Sequence, residues 1–159
     1  MNDQNVKTVS DLFLTIPFAN SIVNSIRKYY GEQVNQRCWH CKTNQDCSVT
    51  ITFTDLPKIL ILRVDRSNFD KDKREHTKID AQINCNRDIS LPLGCDGPTI
   101  TYKLSSVIHH TGTPDSGHYT ATLCDPATKR MWHCNDTYIT PTAKVNQATA
   151  GILFYKKVE

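Results

Sequence analysis

Nowhere in the 159 residues does an apolar run approach the roughly 18–20 residues that a membrane-spanning helix needs. The opening residues, MNDQNVKTVSD, are polar and hold no apolar stretch of the signal-peptide type. No charge of one sign dominates. The formal net charge is +3, too mild for the electrostatic footprint of a nucleic-acid binder. The densest charged run, DKDKREHTK over residues 70–78, mixes both signs and reads as a solvated loop. Repeats, low-complexity tracts and linkers are absent as well. These absences set aside membrane and nucleic-acid partners. They leave one globular domain made in the cytosol, with the cytoplasm or nucleus, or both, as the expected place of action.

Hydrophobic residues make up 38 % of the chain, enough for a core. There are seven cysteines: Cys38, Cys41, Cys47, Cys85, Cys95, Cys124 and Cys134. An odd count without a secretory signal predicts thiols in a reducing compartment rather than a disulfide scaffold.

The texture is mainly β. LFLTI (12–16) predicts a strand closed by Pro17. SIVNSIRKYYGE then spaces Ile22, Ile26, Tyr29 and Tyr30 as a helix does, with Asn20 or Ser21 as cap and Gly31 as stop. RCWHC (37–41) reads as a knuckle-like turn. Strands are expected at SVTITF (48–53), KILILRV (58–64), KIDAQI (78–83), TITYKLSSVI (99–108), HYTATLC (118–124), RMWHCN (130–135) and GILFYK (151–156). The near-continuous apolar run of KILILRV predicts a central strand. The class is α+β, mainly β, with an antiparallel sheet and few helices.

HYTATLC and RMWHCN flank Asp-Pro, strong turn chemistry. With DPAT (125–128) as the loop, Leu123 opposes Arg130, Ala121 opposes Trp132 and Tyr119 opposes Cys134. This mostly apolar face is expected to pack on the core. The other face pairs Thr122 with Met131, Thr120 with His133, and His118 with Asn135. Side chains directly opposed on one face lie close enough to touch, so Asn135 can accept from one imidazole nitrogen of His118 and leave the other as a base. That is the orienting role in a nucleophile–His–Asn triad. Asp136 follows and can add negative charge. A one-residue slip would oppose His118 with Cys134 or Asp136 and invert the faces. Equally open is a plain strand-entry histidine satisfied by a backbone carbonyl.

A longer pattern bears on that choice. YKLSSVIHHTGTPDSGHYTATL, then MWHCNDTYIT, then GILFYKK resembles the histidine box of the ubiquitin-specific proteases. The matching positions are Tyr102, Leu104, Val107, His110, Gly112, Gly117, His118, Tyr119, Trp132, Asn135, Asp136, Leu153, Phe154 and Tyr155. Upstream, RCWHC and LPKILIL resemble that family's second zinc knuckle and its Leu-Pro-x-x-Leu strand. Two departures stand out. Val64-Asp65-Arg66-Ser67 replaces a Leu-Lys-Arg-Phe run, with Phe69 displaced, and Gly151 stands where an aromatic is usual.

The resemblance implies the finger-and-palm portion of a papain-like cysteine protease fold, with residues 1–159 as the C-terminal part of the catalytic domain. It implies a deubiquitinase that hydrolyses the bond after ubiquitin's last glycine. His118, Asn135 and Asp136 would be catalytic, and Gly117 and Tyr119 would bind substrate, Gly117 by letting the ubiquitin tail pass close to the backbone. The partners would be ubiquitin or ubiquitinated proteins. Residues 111–116, TGTPDS, would shape the tail channel. The family's Gly-Asn-Thr-Cys-aromatic nucleophile box matches no stretch of these residues, so the chain alone is expected to be inactive. The alternative is an inactive ubiquitin-binding or scaffold module. No cofactor is required. Cys38 and Cys41 supply two of the four ligands a structural zinc needs, as a half-site, or are plain thiols.

Overall fold

The computed structural model describes residues 11–37, 41–70, 74–94, 97–125 and 127–158. In chain order its elements are β1 (Leu14–Pro17), α1 (Ile22–Tyr30), β2 (Gly31–Arg37), β3 (Asn44–Thr50), β4 (Ile59–Asp65), β5 (Ser67–Asp70), β6 (Glu75–Lys78), β7 (Asp88–Pro92), β8 (Thr99–Gly112), β9 (Gly117–Cys124), β10 (Met131–Asn135), β11 (Tyr138–Thr142) and β12 (Ala150–Lys157). Strands therefore dominate, and α1 is the one helix among the described residues. None of the described helical residues forms a helix long and apolar enough to cross a membrane.

The main sheet runs β1-β4-β12-β8-β9-β10-β11. Only its β1–β4 pair is parallel. β8 is long because it serves three neighbours. β12 lies along one side, while the other side is shared between β7, from Pro92↔Thr99 to Asp88↔Lys103, and β9, from Ser106↔Leu123 to Gly112↔Gly117. Two hairpins, β2–β3 and β5–β6, stand apart from it.

One face of the sheet is the core. Leu60, Leu62 and Val64 of β4 are buried, and between them Ile61 and Arg63 point the other way. They meet Ile16, Leu153, Tyr155, Tyr102, Leu104 and Val107 from neighbouring strands, and Ile22 and Ile26 from α1. Fully burying each such aliphatic side chain stabilises by about 1.5–3 kcal/mol. The two buried tyrosines keep their hydroxyls satisfied. Tyr102 Oη donates to the Pro57 carbonyl at 2.6 Å, and Tyr155 Oη to that of Asn86 at 2.7 Å. Ser21 caps α1, its Oγ accepting from the Asn24 amide at 3.2 Å.

Three expectations change. KIDAQI is not a strand: Lys78 ends β6, and the segment after it is irregular. The carbonyls of Ile79 and Ala81 accept from the Arg66 guanidinium instead of from a ladder. The charged run 70–78 is partly ordered, since Asp70 closes β5 and Glu75–Lys78 pair with Ser67–Asp70, while 71–73 lie outside the described residues. The sequence reading also omits β2, β5 and β11, whose polar runs lack a strand's apolar alternation, and β7, where Ile89 and Leu91 do alternate with exposed neighbours in a run of only five residues. In β11, Pro141 suits the edge position.

Candidate active site

The β8–β9 hairpin closes tightly. Gly112 pairs with Gly117, the Thr113 amide donates to the Ser116 carbonyl at 2.8 Å, and the Ser116 amide donates to Thr113 Oγ1 at 3.2 Å. Both glycines are required by this geometry. Gly112 has φ +120°, open to glycine and few others. A Cβ on Gly117 would stand 2.3 Å from His110 Nε2 and from the Thr111 carbonyl oxygen. Gly117 thus makes room for the His110 ring, which also packs on Tyr119 with centroids 4.6 Å apart. Tyr119 is 63 % exposed.

The observed register differs from the expected one by two residues. Met131 opposes Cys124, Trp132 opposes Leu123, His133 opposes Thr122, and Cys134 opposes Ala121. The loop is longer than DPAT: the Asp125 amide donates to the Arg130 carbonyl at 2.9 Å and the Lys129 amide to that of Asp125 at 2.9 Å. Asp125 itself caps the turn, accepting from the Thr128 hydroxyl and from the amides of Ala127 and Thr128, which holds its carboxyl below the usual range. A two-residue shift preserves side-chain parity, so every predicted face is kept.

The buried side is not the expected one. Leu123 is 46 % exposed, whereas Thr122 and Met131 are buried. The core lies under the His118 face, because α1 and the Ile83–Cys85 segment cover that side of the sheet.

His118 and Asn135 are together despite the shifted register. They sit diagonally across the β9–β10 pair, and His118 Nε2 lies 2.6 Å from Asn135 Oδ1. An amide oxygen only accepts, so Nε2 carries the proton and Nδ1 presents its lone pair. Among the described residues no group bonds to Nδ1. Asp136 opens the β10–β11 turn with φ +51°, a conformation aspartate tolerates. Its Oδ2 is 3.8 Å from His118 Nε2, beyond hydrogen-bond length. At 52 % and 73 % side-chain exposure, any attraction of this carboxylate for a protonated ring is screened by water.

A second histidine was missed by sequence reasoning. His109 is buried, with Nε2 2.8 Å from Thr122 Oγ1 and Nδ1 3.2 Å from Thr149 Oγ1. Burial, reinforced by the neighbouring His133, pushes its pKa down to about 4. The signal was present in part: Val107 and His109 share a face two residues apart on β8.

None of the thiols whose surroundings are described suits a nucleophile for His118. Burial pushes the Cys85 thiol up to about 11 and raises that of Cys124. Cys124 is also six residues along β9 from His118, about 20 Å at strand rise. Cys134 points to the opposite face. Cys41, in the β2–β3 turn, is exposed, its Sγ 2.9 Å from Thr43 Oγ1. Its expected zinc partner Cys38 lies outside the described residues. No three potential ligands gather among the described residues, so these do not make the closed tetrahedral set a structural zinc requires.

Comparison with known proteins agrees with this architecture. The family model described as "Ubiquitin carboxyl-terminal hydrolase" matches residues 3–155. Ubiquitin carboxyl-terminal hydrolase 2 of Rattus norvegicus and that of Homo sapiens are each 30 % identical over 168 aligned residues, 94 % of this chain and 27 % of theirs. Human ubiquitin carboxyl-terminal hydrolase 31 is 30 % identical over 148 residues, 76 % of this chain and 11 % of its own. The chain thus spans about a quarter or less of the length of these relatives. Among solved structures, the SAGA Ubp8/Sgf11/Sus1/Sgf73 DUB module bound to ubiquitin aldehyde matches with a TM-score of 0.78 at 22 % identity, over 94 % of this chain and 36 % of the other. A structure of that module bound to monoubiquitin gives 0.79 at 24 %, over 99 % and 38 %. Likeness at that identity speaks to the fold, whereas the family model covers nearly all of the sequence: the chain belongs to the ubiquitin carboxyl-terminal hydrolase family, the ubiquitin-specific proteases.

Proposed function

We propose that the chain is the base-bearing part of a cysteine deubiquitinase, in which His118 serves a thiol that is not among these seven cysteines. The observation that carries this reading is the 2.6 Å His118–Asn135 contact, with Nε2 engaged and Nδ1 open. A base positioned in this way takes the proton of a thiol brought to Nδ1. The thiolate then attacks the carbonyl after ubiquitin's last glycine. The imidazolium returns its proton to the leaving amine, and water, deprotonated by the same ring, releases the acyl group. Asn135 holds the tautomer throughout, and Asp136 adds a weak favourable charge while the ring is protonated. Ubiquitin is the substrate we assign on family membership, with the 113–116 loop beside its tail. The cytoplasm and nucleus remain the proposed places of action.

A second reading, a binding module without chemistry, draws on the absent nucleophile box. The test is ubiquitin bearing a thiol-reactive electrophile at its C-terminus, mixed with the purified chain and followed by intact mass and by the His118 ring signal in NMR. We expect a saturable shift of His118 and no adduct. An adduct mapped to one of the seven cysteines and lost in His118→Ala would overturn the placement of the nucleophile elsewhere. No shift at millimolar ubiquitin would overturn ubiquitin recognition in both readings. If ubiquitin binds, restoring a nucleophile segment in trans separates them: adduct formation dependent on His118 supports the enzyme, and none supports the module.

A further inference from the structure

The β8–β9 hairpin runs past its neighbour. β12 begins at Ala150, opposite His109, and the last bond on that side is from the His110 amide to the Thr149 carbonyl at 2.9 Å. The amide and carbonyl of a strand residue point to the same side, and the pattern repeats every second residue. The carbonyls of His110 and Gly112 therefore both face an edge where, among the described residues, no strand lies. Acceptors on such an edge must be met by water or by a side chain.

Lys78 meets both. Its Nζ donates to the His110 carbonyl at 2.8 Å and to that of Gly112 at 3.1 Å. The side chain is only 11 % exposed, and Asp80 Oδ1 lies 3.6 Å from the ammonium. A lysine this covered spends its charge on the protein rather than on solvent.

Arg66 delivers it there. The Arg66 side chain is buried beneath four carbonyls: Nε donates to Ala150 at 2.7 Å, Nη1 to Ile79 at 2.7 Å and Ala81 at 2.8 Å, and Nη2 to Gln147 at 2.9 Å. Its guanidinium also lies over the Phe18 ring, 5.1 Å from the centroid. These bonds join the residues just after Lys78 to Gln147, before β12, and Ala150, its first residue. The backbone adds another tie, from the Ile79 amide to the Arg66 carbonyl at 2.7 Å.

We propose that Lys78 is a positioning residue for the candidate active site. Anchored by Arg66, it replaces the missing end of β12 and fixes the edge of the β8–β9 hairpin. Through that edge it places His118 on one arm and the 113–116 loop at the tip. Its consequence for catalysis rests on the function proposed above, but the brace itself can be tested without ubiquitin.

The experiment compares the full chain with Lys78→Met, which keeps the stem and loses the donors, and with Lys78→Arg, which keeps the charge. Amide hydrogen exchange is read at Thr113 and Ser116 beside β4 and β12 as internal standards. In Lys78→Met we expect exchange at Thr113 and Ser116 to accelerate about tenfold or more, with protection of β4 and β12 unchanged. The His118 ring resonances should move, and Lys78→Arg should restore both. Hairpin exchange and His118 resonances that match wild type in Lys78→Met overturn the proposal. So does loss of protection spread evenly over the sheet, which would make Lys78 a general stabiliser. Should Lys78→Met fail to fold, the wild-type chain decides. The Lys78 ammonium protons are expected to exchange slowly, and exchange as fast as at solvent-facing lysines overturns the brace. A separate ubiquitin titration of wild type tests the functional reading: failure there with a slowed hairpin refutes ubiquitin binding and leaves the brace intact.

Discussion

His109 and His118 hang from adjacent strands on one face of one sheet, yet their surroundings are opposite. His109 lies buried where the loop before β12 closes over the sheet. Both ring nitrogens are held by threonine hydroxyls, and its charged form is driven out by burial. His118 lies where the hairpin leaves that cover. One nitrogen is held by an amide and the other is open, with half the side chain in water. Both are imidazoles with a hydrogen-bonded Nε2, so hydrogen bonding alone does not make a base. What distinguishes His118 is an unfilled second nitrogen on a side chain that is half exposed to solvent.

The largest expected effect tests this contrast in stability. His109→Ala opens a cavity and strands the buried Thr122 hydroxyl and the half-buried one of Thr149, and should lower the unfolding free energy by about 3 kcal/mol. His118→Ala removes a half-exposed ring and should change it by about 0.5 kcal/mol or less. Urea titrations of both variants against wild type read the difference. Equal losses would mean that His118 is a structural residue and would dissolve the contrast.

The next effect is in pH dependence. His109 titrates at about 4 when folded, against an ordinary value of 6.5. Between these values the unfolded chain binds a proton that the folded chain refuses. Stability is therefore full above pH 6.5, falls as the pH drops toward 4, and levels off below that, with a total loss from this group of about 3 kcal/mol. Melting curves from pH 7 to pH 4 should show the slope. In His109→Gln it should flatten, whereas in His118→Gln it should persist. A slope that vanishes with His118 instead would reverse the assignment.

Much of this was legible in the sequence, for reasons particular to each element. β4, β8, β9 and β12 announce themselves through β-branched and apolar runs. The His118–Asn135 contact was legible despite a register wrong by two, because an even shift preserves faces and the diagonal neighbour is within reach of a ring and an amide. The burial side was misread because Leu123 and Trp132 are more apolar than Thr122 and His133. Which face is covered depends on where α1 and the Ile83–Cys85 segment cross, and hairpin pattern does not encode that. The bracing roles of Lys78 and Arg66 escaped altogether. Their bonds span 32 and 34 residues in one case and up to 84 in the other, and end on backbone carbonyls, which leave no mark on residue identity.

A further change, small in stability, is the most informative about the site. Asn135→Ala removes the one acceptor that holds His118 Nε2–H, at a partly exposed position, so the loss should be about 1 kcal/mol or less. The ring should respond more than the fold. In wild type, a proton held in a 2.6 Å contact exchanges slowly enough to give an Nε2–H signal at low temperature. Asn135→Ala should lose that signal and leave the ring free to rotate, while the His109 signals stay in place. Asn135→Gln keeps an amide but moves it outward by one methylene, so it should restore little of the order. If the Nε2–H signal survives in Asn135→Ala, the partner of His118 is Asp136, which stands 3.8 Å away and would then have closed on the ring. The pair to remove next would be Asn135 and Asp136 together, because either oxygen alone would suffice to orient the base.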